Sequence, residues 1–393
     1  MSKPHRNIFI TGVTSLLTDV STEMVYPILA LYLRALGGSV LALGTIEGVA
    51  ESIASLLRVF SGALADWMGK RKPLAILGYA LSSTGKILFY FASGWTTIFL
   101  GRFADRFGKG IRTAPRDAMI AESTDATHKG RAFGLHRALD SLGATLGIAI
   151  TYFLIARIRE AAEKAQDLHL YLPTFRFIIL VSIIPAILGV LVLLSSIETG
   201  RGRARRSLPL SFAALRSLDP RLKLFLFATL LFTLGNSSNQ FILLRATEKD
   251  IGFSPSGVTL LYLLYNIVYT LTSYPAGWLS DRIGRKGILV VGFLLYSLSY
   301  YLIGLRPSTI VLTMLPYGFY SGMTEGISRA FVADLSPEDK RATILGLHAT
   351  LLGIGLFPAS LLAGILWNTL GPGSPFVFGG TLSLIAALCI AFL

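Results

Sequence analysis

Two pairs of carboxylates stand one helical turn apart inside long apolar runs of this sequence: Asp19 with Glu23, and Glu47 with Glu51. A charge in hydrocarbon costs about 3 kcal/mol on insertion scales, so each such residue is a functional candidate by default. Residues four apart share a helix face. Two acids held that close repel, and one of them readily keeps a proton. Basic residues follow in the next runs: Arg58, Lys86, Arg102, Arg106, Lys109, Arg112 and Arg116, interleaved with Asp105 and Asp117, then His136, Arg137 and Asp140. The charges of the first five runs nearly cancel. Such a set either carries a proton or a cationic substrate, or pairs off and fixes helix register. Asp19 and Glu51 fall near the middle of their runs, close to mid-membrane. They are the favoured carriers, with Glu23, Glu47 and Asp140 beside them and Arg106 and Lys109 tuning them.

Positioning these charges is a matter of helix packing. The chain has 393 residues, 53% hydrophobic and only 15% charged, whereas a soluble domain has about 25% charged residues. Apolar runs long enough to cross about 30 Å of hydrocarbon occur at 8–33, 39–65, 73–93, 95–121, 131–157, 174–196, 222–244, 256–280, 286–305, 308–334, 341–370 and 374–393. The expected class is therefore an all-α membrane protein of 12 spans. The first run is too long for a signal-peptide core and carries two acids, so it is expected to be retained. Cys389 is the single cysteine, which excludes an internal disulfide framework.

The net charge of +14 raises the question of nucleic acid, but the charges sit in short loops. The N-terminus and the loops after even-numbered spans hold 19 Lys and Arg, and the opposite loops hold 7. The positive-inside rule then places both termini in the cytoplasm, in an inner membrane, with the lipid bilayer and no nucleic acid as partner. The basic stretch 197–221 reads as a cytoplasmic linker between halves at 1–196 and 222–393. Its Arg cluster is a topology signal, with anionic lipid headgroups as the other reading.

The halves repeat. Gly62-Ala-Leu-Ala-Asp66-Trp-Met-Gly69-Lys70-Arg71-Lys72 is answered in the second half by Gly277-Trp-Leu-Ser-Asp281-Arg-Ile-Gly284-Arg285-Lys286-Gly287. Further on, Met119-Ile-Ala-Glu122 is answered by Phe331-Val-Ala-Asp334, and Gly134-Leu-His136 by Gly346-Leu-His348, these two at one common offset. Physically, the first Gly allows close helix approach, the Asp can cap a neighbouring helix, the last Gly frees a turn, and the basic residues anchor the loop at a membrane face. Plain topology anchoring is the competing reading.

This twice-occurring loop resembles the signature of the major facilitator superfamily, and the resemblance spans the whole chain. It implies two pseudo-symmetric six-helix halves, a monomer, and a cytoplasmic ion-paired latch in which Lys70 meets Glu122 and Arg285 meets Asp334. Trp67 stands where a basic residue is common, which implies a weaker first latch. Arg106 to Ala114 is similar to the R-x-x-x-G-x-x-x-A pattern of proton-coupled facilitators, where a buried Arg tunes a carboxylate. Gly143 and Gly147 give span five its close-packing glycines without the Gly-Pro pair of antiporters of that family.

In the second half, span seven carries Asn236, Ser237, Ser238, Asn239 and Gln240, so Asn236 and Gln240 repeat the one-turn spacing with neutral amides. With Tyr262, Tyr265 and Asn266 on span eight they are the candidate substrate lining, packing being the alternative for the tyrosines. Glu325 and Arg329 are expected to pair with each other or with the latch. His136 and His348 occupy equivalent repeat positions. As metal ligands they compete with mere ancestry, and His136 is the better candidate.

No Walker loop, HExxH or G-x-S-x-G is present, so the sequence is not read as an enzyme and implies no cofactor. The leading reading is a secondary transporter exporting a drug-like or metabolite substrate against protons by alternating access. The alternative rests on Gly108–Glu122 and Ala132–Asp140, which also resemble nickel- and iron-exporting facilitators; four intramembrane carboxylates plus His136 suit a divalent cation or its chelate. A membrane sensor without transport is the reading from another class.

Overall fold

The structure, a computed structural model, describes residues 3–124, 129–157, 168–199, 219–337 and 341–393. Most of the predicted linker, residues 200–218, lies outside them. Among the described residues the chain is helical throughout: α1 (Lys3–Ala35), α2 (Val40–Met68), α3 (Lys72–Tyr90), α4 (Trp95–Glu122), α5 (Lys129–Arg157), α6 (Leu172–Leu194), α7 (Pro220–Gly235), α8 (Gln240–Arg245), α9 (Pro255–Ile283), α10 (Arg285–Leu305), α11 (Ile310–Leu335), α12 (Arg341–Leu370) and α13 (Ser374–Ala391). Twelve spans result, because α7 and α8 together make the seventh. Among the described residues, seven helices are long and apolar enough to cross a membrane by length and composition alone. Helix α4 is not among them, because its charges interrupt the apolar run.

Local sequence sets the ends. Pro stands in the first turn of α3, α6, α7 and α13, where its missing N–H is no loss. Asp219 caps α7 by accepting a bond of 2.7 Å from the Arg221 amide. The two repeated loops turn on Gly69 at φ 63° and Gly284 at φ 93°, the left-handed region that only glycine enters at no steric cost.

The seventh span departs from the sequence expectation of one continuous helix. It stops at Gly235, with Asn236 non-helical at φ −94° and ψ 80°, and restarts at Gln240. Ser and Asn side chains compete with the helical ladder for backbone groups, and here the Ser238 hydroxyl accepts from the Gln240 amide at 3.3 Å. Asn236 and Gln240 therefore do not share a helix face. The carbonyl of Gly235, freed by the break, accepts from the Tyr296 hydroxyl at 3.0 Å.

The chain divides into two compact units. The first comprises Met1–Ser39, Val49–Ser207 and Ser254–Thr259; the second comprises Val40–Gly48, Leu208–Phe253 and Leu260–Leu393. In the first, α3 packs on α4 and α6, and α1 packs on α5 and α6. Glycines bring the backbones together: a Cβ on Gly78 would lie 2.6 Å from the Gly108 carbonyl oxygen. A Cβ on Gly147 would sit 3.1 Å from the Met24 amide nitrogen. In the second unit α10 packs on α11 and α13, and α7 on α13 and α12. Its centre is aromatic, with Phe232 stacked on Phe293 at 4.3 Å and Tyr296 on Tyr300 at 4.0 Å.

Candidate functional site

In the first unit, close packing of α3 on α4 puts charges from both helices against those of α2. Glu51 meets Arg106 Nε at 2.8 Å and Arg102 Nη2 at 3.3 Å. Asp105 lies 3.6 Å from Lys86 Nζ and 3.8 Å from Arg102 Nη1. Lys86, Arg102 and Asp105 are 2%, 2% and 4% exposed, so each of these charges requires its partner. Rings share the load: the Arg102 guanidinium lies 5.3 Å from the Tyr26 centroid and that of Arg112 4.3 Å from Tyr79. Arg112 also donates to the Ser82 hydroxyl at 2.8 Å. Gly110 lets α4 approach α2, since a Cβ there would lie 2.7 Å from Leu57 Cβ.

Asp19 stands apart from this network. It is half-buried on α1, faces the charges of Asp140, Arg112, Lys109 and Glu23, and among the described residues has no ion-pair partner within 4.0 Å. Lys109 is likewise without such a partner among them, and it faces Glu51 and Asp19 together. Asp140 sits 3.5 Å from His136 Nδ1, while His136 Nε2 is 2.9 Å from the Ser15 hydroxyl. Both ring nitrogens of His136 are thereby engaged. Among the described residues no three of His, Cys, Asp and Glu gather where they could hold a metal ion.

Glu47 is parted from Glu51 although one turn separates them. It belongs to the second unit, is fully buried, and accepts a bond of 2.7 Å from the Ser238 hydroxyl at the break in span seven. Of the amides there, Asn239 accepts from the Tyr317 hydroxyl at 2.6 Å and Asn236 from that of Tyr296 at 3.3 Å. Gln240 is fully buried. Asn266 turns back to its own helix, donating to the Tyr262 carbonyl at 2.9 Å. Glu325 does not pair with Arg329. It accepts from the Tyr269 hydroxyl instead. Tyr269 on α9 was not among the sequence candidates, although Tyr262, Tyr265 and Tyr269 recur at helical spacing.

At the repeated loops, Glu122 is held by Arg71 and not by Lys70. Arg71 donates from Nε and Nη2, each at 3.2 Å, to one oxygen of Glu122, and the fork of the guanidinium allows what an ammonium cannot. Lys70 is exposed. The rest of the loop is tied to the segment after α6. Glu198 accepts from the amides of Arg71 and Lys72 at 2.8 and 3.1 Å, filling the open N-terminus of α3. Lys72 Nζ donates to the carbonyls of Leu194 and Ser196. Asn7 exchanges bonds of 3.0 and 2.8 Å with the backbone of Ile197. In the second loop Arg285 meets Asp334 and donates to the Ala330 carbonyl at 2.7 Å, with Asp281 at 3.4 Å. The Asp66 side chain lies outside the described atoms. The first glycines do not serve close approach: a Cβ on Gly62 would find Ala114 at 3.4 Å, an ordinary contact, and one on Gly277 would find nothing within 4 Å.

Known proteins agree with this architecture. Residues 11–235 and 225–393 each match the sequence profile of the Major Facilitator Superfamily. An MFS-type transporter of Methanocaldococcus jannaschii is 37% identical over 99% of this chain and 95% of its own. The multidrug resistance protein MdtH of Yersinia enterocolitica is 24% identical over 87% of this chain and 82% of its own. Two solved structures share the fold: a D-xylose-proton symporter with a TM-score of 0.74, covering 99% of this chain and 97% of its own at 16% identity, and a POT family transporter in complex with 5-aminolevulinic acid with a TM-score of 0.77, covering 98% and 96% at 16% identity. This chain belongs to the Major Facilitator Superfamily: it is an integral membrane transporter of small molecules and not an enzyme.

Proposed function

We propose that this transporter exports a small organic substrate in exchange for protons, with Asp19 as the protonation site. The observation that carries this reading is the contrast within one charge cluster. Glu51 is committed to Arg106 and Arg102, and Asp105 to Lys86 and Arg102, whereas Asp19 has no ion-pair partner among the described residues. An acid inside a span that is not held by a cation can bind and release a proton without dismantling the packing around it. Glu51, Arg106 and Lys109 then serve as its electrostatic surround, together with Glu23 and Asp140.

Export of an organic substrate is supported by the likeness to MdtH, a protein named for multidrug resistance. In this reading the chain works as a monomer. The halves 1–196 and 222–393 alternate access about a midplane site, and Asn236, Asn239, Gln240, Tyr262 and Asn266 contribute the second half's share of substrate contacts. The excess of Lys and Arg in alternate loops puts both termini on the cytoplasmic side of an inner membrane. The loops from Gly62 to Arg71 and from Gly277 to Arg285 serve as the cytoplasmic gate, closed onto Glu122 through Arg71 and onto Asp334 through Arg285.

The test is proton movement in liposomes of the purified protein with an internal pH dye, on addition of ethidium, with nickel(II) as a second arm. Ethidium is expected to drive a pH change that Asp19→Asn abolishes while the protein stays folded. A full response in Asp19→Asn removes Asp19 from the mechanism. A response to nickel alone makes the substrate a metal.

A further inference from the structure

Helices α9 and α11 bring together a row of aromatic rings that ends on a carboxylate. Tyr262, Tyr265 and Tyr269 recur at three- and four-residue intervals on one face of α9. Their rings stack with centroids 5.9 and 6.2 Å apart and planes inclined by 24° and 11°. From α11, the Tyr317 ring lies 5.1 Å from that of Tyr265, and the Ser321 hydroxyl 3.1 Å from the Tyr265 hydroxyl. Glu325, two turns beyond Tyr317, accepts from the Tyr269 hydroxyl. Tyr262 is buried, Tyr265 and Tyr269 are half-buried, and Glu325 is exposed. The row therefore leads from the core of the second unit to an accessible end.

Core packing accounts for Tyr296 and Tyr300, whose rings meet Phe232 and Phe376 edge to face. It does not account for Glu325. This carboxylate lies well inside α11, whose last turn comes only at Leu335, and among the described residues no Lys, Arg or His reaches it within 4.0 Å. A span carrying a carboxylate without a counter-ion is costly, and a single tyrosine hydroxyl supplies a hydrogen bond but no charge. The repeat sharpens the contrast. In the register that matches Gly62 with Gly277, Tyr262 answers Glu47 and Asn266 answers Glu51; in the register that matches Met119 with Phe331, Tyr317 answers Asp105. Where the first half is ionic, the second presents rings and one carboxylate.

We propose that this face binds an organic cation bearing aromatic rings. The faces of Tyr265 and Tyr269 stack on its rings, and Glu325 provides the missing counter-charge. Tyrosine faces attract a cation through their quadrupole, and the hydroxyl of Tyr269 holds the carboxylate at the end of the row. The proposal rests on the reading of the protein as an exporter of small organic molecules and names the substrate class.

The experiment is equilibrium binding of tetraphenylphosphonium to the purified full-length protein in detergent, without any gradient, beside tetraphenylborate, which has the same shape and the opposite charge. The protein is expected to prefer the cation by at least about tenfold, the scale of one desolvated charge contact. Glu325→Gln should abolish that preference, Tyr265→Leu should weaken cation binding several-fold, and Tyr265→Phe, which keeps the ring, should bind as the wild type does. Equal binding of cation and anion by the wild type, or an unchanged preference in a folded Glu325→Gln protein, overturns the proposal. The two readings fail separately. Cation preference without proton movement refutes the coupling and keeps this site, and proton movement without cation preference does the reverse.

Discussion

The pair Lys86–Asp105 offers a sharp test of how the first unit tolerates its charges. Lys86 Nζ lies 3.6 Å from Asp105 and is 2% exposed; its other contact is the Thr22 hydroxyl at 3.4 Å. Replacing Asp105 by Asn keeps the shape and removes the charge, leaving the ammonium of Lys86 buried beside Arg102 with no carboxylate of its own. Breaking a buried pair in this way costs about 3–5 kcal/mol, whereas replacing both partners by apolar groups is often neutral. Lys86→Met alone strands Asp105 less severely, because Arg102 Nη1 remains 3.8 Å away. The single changes should therefore be unequal, Asp105→Asn the worse, and the double change Lys86→Met with Asp105→Asn should recover most of the loss. Reversible unfolding in mixed micelles over the full mutant cycle measures this, with a coupling energy of about 2 kcal/mol or more expected between the two sites. Losses that simply add would show that the 3.6 Å approach carries no energy and that Arg102 and Thr22 satisfy each residue separately.

Arg71→Ala should leave Glu122 with the Thr199 hydroxyl in place of its ion pair and loosen the segment after α6, seen as faster amide exchange at Ile197, Arg71 and Lys72, while Lys70→Ala leaves those amides unchanged; equal effects would restore Lys70 to the latch. Gly78→Ala would put a Cβ 2.6 Å from the Gly108 carbonyl, and overpacking of that kind costs about 1–3 kcal/mol; a melting temperature equal to that of the wild type would refute the tight α3–α4 approach. At the end of α8, Arg245 donates two bonds of 2.5 Å to Asp250 in the following loop and holds its carboxyl below the ordinary aspartate value of 3.8. The sign follows: a carboxyl depressed in the folded state adds stability at pH above its unfolded value and loses that increment as the pH falls through the folded value. Asp250 is 49% exposed, so the increment stays below about 1 kcal/mol. Asp250→Asn should lower the melting temperature slightly at pH 6 and match the wild type once the carboxyl is protonated, and a gap that persists in acid would argue against the pair.

What was legible in the sequence divides by range. Helices came from apolar runs and the two-fold repeat from matched loops, because both are written in consecutive residues. Gly69 and Gly284 announced their turns because a left-handed residue in a short polar loop is nearly always glycine. The break in span seven was present as Asn-Ser-Ser-Asn-Gln, but periodicity alone reads that run as a polar helix face. Its competing side-chain bonds become decisive only when Tyr296 and Tyr317 arrive from distant helices to take up the freed groups. Which basic residue meets Glu122 was beyond reach for a similar reason. Lys70 and Arg71 are adjacent, and the choice depends on the turn at Gly69 and on Glu198, far along the chain, filling the N-terminus of α3.

The two carboxylates of α2 show how little spacing alone says about chemistry. By the one-turn rule Glu47 and Glu51 repel and share a proton. In the structure they part company: Glu47 accepts from Ser238, and Glu51 lies against two guanidinium groups. What distinguishes Asp19 is the identity of its neighbours. Lys109 faces it and Glu51 together, and Glu51 already has Arg102 and Arg106. In the proposed mechanism, a proton on Asp19 removes one of the two negative charges that Lys109 faces and leaves it beside Glu51, where Lys86, Arg102, Arg106 and Lys109 then outnumber Glu51 and Asp105. Relief of that excess, by movement of Lys109 along α4 or by arrival of a negative group, is the physical link through which a proton bound on α1 acts on α2 and α4. Lys109→Gln removes the link and leaves Asp19 in place. Proton binding should then persist in the variant while proton-driven transport is lost, and transport at the wild-type rate would show that Asp19 acts without Lys109.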